Sequence, residues 1–439
     1  MTAQPASDRS GDWWLSPTTI TLVVVAAAVL PTALIPDASF RAQWDTPKAI
    51  TTATCLLFLA GGLALALGAL VVAAARRTVP GHGRWPALRP DEVDLLRRCS
   101  TVLVTLTVVG YLAFVVAAVR GGVGLGDLRA SLGSEGLYGA DIKERTGTVP
   151  GLTTLTQVGL AAAVVSSLLL CTAPTRRELG KLVLVIGLSV PRGFLLTERL
   201  AVLELVVPVA VVLAARFGAA GRGRAVVRML PAVALPVVMA VFAAFEYSRS
   251  WTFYRATTDG GFLRFAVERL AGYYTTSLNN GQLELLHANG PANWPYATLE
   301  AFWTAPVIGQ VDLYQSLSGG PAVDSLDVLT VYANPEFNNG SGLAPPFIDY
   351  GTVGGLLYFL AAGVVAGLLY RGFRESHPAG LLIYPVVFIG LLELPRYLHW
   401  AQGRALPAFL ALGVVAVLLH RAARRTPAEP RPPVAAGRG

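Results

Sequence analysis

Charge is the first thing this sequence is short of. Only 14% of its 439 residues are Asp, Glu, Lys or Arg, against about 25% in a typical soluble domain. So few charges cannot cover the surface of a soluble protein of this length. Disorder is excluded as well, because it needs low hydrophobicity and high charge, and 54% of this chain is apolar or aromatic. Lysine is nearly missing: Lys48, Lys143 and Lys181 are the only ones among 35 basic residues. Cysteine is limited to Cys55, Cys99 and Cys171, all in or beside apolar runs. An odd count in such places argues against a disulfide framework and against a zinc site. GxxxxGK[ST], HExxH and CxxC do not occur, so nucleotide hydrolysis and common zinc chemistry lack their signals.

What the chain has instead is long apolar runs. They predict an all-α polytopic membrane protein with about ten spans of roughly 20 residues each, near 17–35, 49–75, 101–119, 152–172, 182–197, 200–215, 229–246, 348–370, 379–395 and 401–420. The first run has Arg9 as its only basic flank and is long for the core of a signal peptide, so it reads as a retained helix.

The net charge of +8 then belongs to loops rather than to a nucleic-acid surface. With the N-terminus inside, the inner segments hold 21 of the 35 basic residues. Six lie in 76–98, three in 173–181, four in 216–228, two in 371–378 and five in 421–439, with Arg9 the last. The segment 247–347 holds four Arg and eight acidic residues. By the positive-inside rule both termini are cytoplasmic. The chain divides into spans one to seven (1–246) with a glycine-rich outer loop at 120–151, a helical extracytoplasmic domain (247–347), spans eight to ten (348–420) and a Pro/Ala/Arg-rich tail (421–439) expected to be disordered. Within 247–347, helices are expected around 262–288 and 297–317, followed by NPEFNNGSGLAPP.

Polar residues where apolar ones are expected are the informative positions. Between Lys181 and Arg216 lie 34 residues, too few for two full spans and a turn. The tip of that hairpin, PRGFLLTER, therefore places Arg192, Glu198 and Arg199 at membrane depth, with Glu204 one turn deeper. An Arg–Glu pair closing the hairpin, or snorkelling arginines, would explain them; so would an anion site, since Arg suits bidentate phosphate binding. The last hairpin gathers Glu393, Arg396, His399, Gln402 and Arg404 beside Tyr397 and Trp400, which also suits interfacial anchoring. Asp349 and Tyr350 open a Gly-rich span, where the acid is favourable on the helix dipole in any case. FEYSRSWTFYR sets Arg249 and Arg255 among aromatics, and RFAVERLAGYYTTSLNNGQLELLHANGP carries Tyr273, Tyr274 and His287.

Several of these pieces, in this order, resemble the bacterial oligosaccharide repeat-unit polymerases, the O-antigen polymerase-like (Wzy-type) membrane glycosyltransferases. They are DLRASL before GTVPGLTTL, PRGFLLTERLAVLELVVPV, RFAVERLAGYYTTSL and PPFIDYGTVGGLLYFLAAGVVAGLLY. HWAQGR has no counterpart in that pattern. The resemblance implies an enzyme in the plasma (inner) membrane with its active site facing outside. It would join undecaprenyl-diphosphate-linked oligosaccharide units into a cell-surface or exopolysaccharide, without metal or sugar nucleotide. Membrane lipid, and a flippase and a chain-length regulator of the same pathway, are the implied partners. On this reading Arg192, Arg199, Arg249, Arg255 and Arg396 meet the diphosphate, and Tyr273, Tyr274, Asn338, Asn339 and Tyr350 meet the sugars. Asp349, His399 and His287, in that order, are the candidates to orient or deprotonate the acceptor hydroxyl. A glycan ligase or another lipid-linked sugar transferase is the alternative, although IPDASFRAQWDTPK lacks a paired acidic motif. A polysaccharide or lipid transporter is the second, although transporters place their polar sites at mid-membrane.

Overall fold

A computed structural model describes residues 13–75, 88–124, 126–127, 145–147, 149, 151–195, 200–218, 223–251, 254–255, 260–288, 294–320 and 325–425. No strand occurs among them, and the protein is all-helical. The long helices are α1 (Pro17–Leu34), α3 (Thr52–Ala74), α4 (Pro90–Arg120), α5 (Val158–Thr172, preceded by the 3-10 turn Thr153–Gln157), α6 (Arg176–Leu195), α7 (Leu200–Gly218), α8 (Arg224–Glu246), α9 (Phe262–His287), α13 (Pro345–Arg374), α14 (Pro378–Leu392) and α15 (Leu406–Arg425). Short elements complete the set: α2 (Asp37–Trp44), α10 (Glu300–Trp303), α11 (Leu313–Ser318) and α12 (Ser325–Tyr332). Four long helices open on proline at the first turn, where its missing N–H costs nothing.

Among the described residues, eight helices are long and apolar enough to cross a membrane. The two other expected spans are helical too, but fall short for identifiable reasons. α6 carries Arg176, Arg177, Glu178, Lys181 and Arg192 in 20 residues, and α14 has only 15. The helix expected over 297–317 is instead three pieces, α10, the 3-10 turn Gly309–Val311 and α11. Pro306 removes a helical donor there, and Asp312 adopts the left-handed region at φ 44°. α15 runs to Arg425, so 421–425 are helical rather than part of a disordered tail; 426–439, and most of the glycine-rich loop, lie outside the described residues.

α5 is the centre of the bundle. Every residue from Val158 to Leu169 is buried, and α4, α6, α7, α14 and α15 pack around it. Its serines are satisfied: Ser166 and Ser100 hydroxyls lie 3.0 Å apart, and Ser100 donates to Glu178 at 3.0 Å. Lys181 donates to Glu178 at 2.8 Å and to Thr101 at 2.9 Å. This buried, fully partnered ion pair fixes α6, the helix that carries Arg192, against α4.

α3 and α13 form the most extensive helix pair. Gly68 lies against the backbone of Leu360 and Val364, and Gly363 against that of Leu65. Small residues allow this backbone approach, the usual device of membrane helices. α13 is broken at Gly351, whose φ of 68° and ψ of −175° favour glycine. Its first turn, Pro345–Tyr350, is thereby turned away from the rest.

Within the segment after α8, the long helix is packed against the bundle. α9 packs against α1, α8 and α13, and Thr275 to Glu284 are all buried. Its polar side chains are consumed by backbone groups of the α2–α3 connection and of the stretch before α13. Asn279 accepts from the Ala49 and Ile50 N–H groups at 2.6 and 3.0 Å and donates to Pro47 O at 3.0 Å. Asn280 donates to Phe337 O and Asn339 O at 2.6 and 2.9 Å. Gln282 accepts from the Thr54 hydroxyl. Arg269 ties α9 to Glu246 at the end of α8 (3.5 Å) and to Glu336.

Gly363→Leu should lower the melting temperature in detergent, with a loss of at least about 1–3 kcal/mol from overpacking. Val365→Leu, on the 55% exposed face of the same helix, should leave it unchanged. Equal melting of both variants would show that α3 and α13 do not meet at Gly363.

Candidate functional site

A cluster of charged and aromatic side chains lies at the end of the bundle where α14 hands over to α15. The connection is compact because successive turns close it. Arg396 N bonds Glu393 O at 2.8 Å, Ala401 N bonds Leu398 O at 3.0 Å and Ala405 N bonds Gln402 O at 3.0 Å. Gly342 lies against the Tyr397 backbone and Gly390 against the Trp400 ring, where a Cβ would collide.

Glu204, near the start of α7, is 7% exposed and is the acid around which the basic groups collect. Its carboxylate lies 3.4 Å from Arg404 Nε and 3.7 Å from His399 Nδ1. Arg404 also donates to Gln402 at 2.7 Å and stacks over the Tyr397 ring at 4.7 Å. Arg396 pairs with Glu393 at 2.8 Å and lies 5.6–5.8 Å from the rings of Tyr273, Tyr274 and Tyr397. Arg192 approaches from α6. It donates to Thr156 at 2.9 Å, sits over Phe114 at 5.2 Å, and shares a small cleft with Glu204, Tyr111 and Gln157. One polar chain therefore runs from Arg192 through Glu204 and Arg404 to Arg396, drawing on α6, α7, α9 and the α14–α15 connection.

Several buried atoms in this chain have no hydrogen-bond partner among the described residues: both ring nitrogens of His399, the Tyr397 hydroxyl and Arg396 Nε. Buried polar atoms are ordinarily satisfied, so these are positions suited to a ligand. Burial, reinforced by the Arg404 guanidinium, pushes the His399 imidazole down to about 3, which leaves it neutral at physiological pH. Among the described residues no group of three or more His, Cys, Asp or Glu could hold a metal ion.

Of the residues singled out in the sequence, Arg192, Arg396, His399, Tyr273 and Tyr274 belong to this network. Asp349 does not. One of its oxygens accepts from the Tyr296 and Ala297 N–H groups, both at 3.1 Å, and the other from Thr298 N at 2.7 Å and the Thr298 hydroxyl at 2.6 Å. Each oxygen thus already accepts two bonds, which uses its lone pairs and leaves none for a reacting hydroxyl. Asp349 instead tethers 296–298 to the first turn of α13. Tyr350 adds to the tether, with its hydroxyl 3.0 Å from that of Thr298. It stacks on Tyr358, which accepts from Trp400 at 2.8 Å. α10, just beyond the tether, packs on the His399–Ala401 turn and so partly roofs the cluster.

His287 is elsewhere, stacked on Tyr332 of α12 with ring centroids 4.0 Å apart. Asn339 serves α9 through its backbone carbonyl, while Asn338 and Arg255 are exposed. Arg199 and the Arg249 side chain lie outside the described residues. Glu204, Tyr397 and Arg404 stand among the informative polar positions of the sequence without an assigned role, and Thr156 is a member that the sequence does not single out. Their signal was ionisable or polar residues at the same end of different apolar runs. No family model, curated protein or solved structure matches the chain.

The neutral His399 gives a testable pH dependence. Its folded pKa lies below the unfolded value of about 6.5, so its contribution to stability is complete above pH 6.5 and is lost as pH falls from there towards 3. The slope is up to about 1.4 kcal/mol per pH unit. Melting in detergent between pH 7 and 5 should show this loss, and His399→Gln should flatten it. An identical slope in the variant would show that His399 takes up its proton alike in the folded and unfolded states.

Proposed function

We propose that the chain is a multi-pass plasma-membrane glycosyltransferase. On this reading it polymerises oligosaccharide repeat units carried on undecaprenyl diphosphate, at the outer face of the membrane. The observation that carries it is the convergence of Arg192, Arg396 and Arg404 with a neutral, unpartnered His399 at one end of the bundle. The charge asymmetry of the loops supports placing that end outside. Counting α6 and α14 with the eight long apolar helices gives ten traverses and two cytoplasmic termini. That alternation is consistent with Arg192, Thr156, Glu204, Glu393 and Arg404 meeting at one end.

The chemistry follows from the charges. In the transfer step the bond between the anomeric carbon and the diphosphate oxygen breaks, and undecaprenyl diphosphate leaves with the electron pair. Guanidinium groups aimed at that oxygen stabilise the developing charge more than the ground state. The acceptor hydroxyl forms the new bond to the anomeric carbon, and its proton passes by way of the neutral His399 ring to the departing diphosphate, because burial and Arg404 disfavour a lasting imidazolium. Tyr273 and Tyr274 offer ring faces to the sugars, while the Tyr397 ring is occupied by Arg396 and Arg404. Asp349, with its oxygens occupied, positions the roof segment and is not the base. A flippase that delivers the lipid-linked units and a regulator of chain length are the partners this reading implies.

The test is elongation by purified protein in vesicles supplied with a carrier-linked repeat unit. A ladder of polymer is expected. Arg396→Lys and Arg404→Lys, which keep the charge but not the fork, should lower turnover by about 10²–10³-fold, and His399→Gln by about 10²–10⁴-fold. Asp349→Asn should lower the melting temperature as well as turnover. Full activity of His399→Gln, with Asp349→Asn dead yet normally stable, would return the base to Asp349. Passage of the carrier-linked unit across the vesicle membrane without elongation would overturn the enzyme reading in favour of a transporter.

A further inference from the structure

The bundle has a second cleft, at the opposite end from the His399 cluster. It is lined by Ser16, Pro17 and Thr18 of the α1 start, by Ala69, Val72 and Ala73 of α3, and by Gly367, Tyr370, Arg371 and Arg374 of α13. Its separation from the site follows from the chain: α14 starts at Pro378, beside the end of α13, and runs 15 residues towards Glu393, about 22 Å at 1.5 Å per residue.

The cleft exists because of residue size. Above it, α3 and α13 are in backbone contact at Gly363 and Gly367. Towards the helix ends Ala69 and Ala73 are too small to fill the angle between α1, α3 and α13. Its cavity volume is about 70 Å³, several times the roughly 10–15 Å³ that one water needs but below the roughly 300–1,000 Å³ that encloses a whole small molecule, so it admits a headgroup or a short length of chain. Its floor is apolar, and its neighbours on the outer faces of the same helices, Leu70, Val71 and Leu368, are 46–59% exposed, as lipid-facing residues are. Its mouth is basic: Arg371 and Arg374 stand one turn apart on α13, and none of the lining residues is acidic. Polar groups complete the rim. The Ser16 side chain makes no capping bond, and the Thr18 hydroxyl lies 3.4 Å from Ala66 O.

An apolar floor open to the lipid side beneath two guanidinium groups is the chemistry of an anionic phospholipid, with its phosphate on the arginines and a chain along Ala69, Val72 and Gly367. We propose that this cleft binds one phospholipid whose headgroup carries net negative charge, and that the bound lipid fills the junction of α1, α3 and α13. The shared chemistry with a soluble phosphate anion is the phosphate on Arg371 and Arg374; the apolar floor favours the lipid. The proposal does not depend on what the site at the other end does.

Native mass spectrometry of the purified full chain tests it, with phosphatidylglycerol, phosphatidylcholine and inorganic phosphate as the added ligands. One phosphatidylglycerol should be retained, and phosphatidylcholine should bind at least tenfold more weakly. The double variant Arg371→Gln/Arg374→Gln should lose at least tenfold in phosphatidylglycerol affinity, while Arg421→Gln/Arg424→Gln, on the last turns of α15, should not. Should the arginine variant fail to fold, Ala73→Trp, which fills the cleft and keeps both arginines, should show the same loss. Equal binding of the two lipids, equal loss in the α15 variant, or normal binding by Ala73→Trp would overturn the proposal. Displacement of the lipid by millimolar inorganic phosphate would make it a soluble-anion site instead.

Discussion

An ionisable carboxyl placed among apolar helices is the constraint from which much of this structure follows. Glu204 sits near the start of α7 with little access to solvent, where an uncompensated charge would cost several kcal/mol. Compensation comes from 200 residues further along the chain, from Arg404, with His399 beside it. That long-range pairing holds the α14–α15 connection against α7. It also sets Arg404 over Tyr397, which brings Arg396 to the tyrosines of α9. Arg192 reaches the same region from α6, a helix anchored at its other end by the buried Glu178–Lys181 pair. Charges that would be liabilities singly are tolerable as a network, and a network of guanidinium groups with unsatisfied atoms is suited to an anionic ligand.

The helices were legible in the sequence because hydropathy is a local property. The apolar runs at 17–35 and 49–75 correspond to α1 and α3, and the Gly-rich run after Asp349 to α13 with its close approach to α3. α9 was legible as a helix, but its packing was not. TTSLNNGQ reads as a solvated or sugar-binding face, whereas Asn279 and Asn280 bind backbone groups of Pro47–Ile50 and Phe337–Asn339. Backbone donors and acceptors leave no mark in residue identity, so such a contact cannot be read from either partner.

Asp349 shows the same limit. An acid at the start of a Gly-rich helix, beside a polar loop, has the look of a catalytic group. Its partners are the N–H groups of 296–298, again without side-chain signature, and they turn it into a tether. His399 and Arg404 were visible as a local cluster, but their pairing with Glu204 joins segments that only the fold brings together. The break in the expected 297–317 helix was legible after the fact, in Pro306 and Gly309, since an interior proline removes a donor and strains the preceding turn.

The central claim is that the Arg192–Glu204–Arg404–Arg396 network receives a lipid-linked diphosphate. Equilibrium binding of undecaprenyl diphosphate to the purified protein tests it most directly, with undecaprenyl monophosphate and the free alcohol as comparisons and Arg404→Gln as the altered protein. The account predicts that the diphosphate binds at least about tenfold more tightly than the monophosphate, as 1.4 kcal/mol of added charge-assisted hydrogen bonding gives. It also predicts that Arg404→Gln removes this preference while leaving the weaker binding of the alcohol unchanged. Equal affinity for all three lipids, or a diphosphate preference that survives Arg404→Gln, would contradict it.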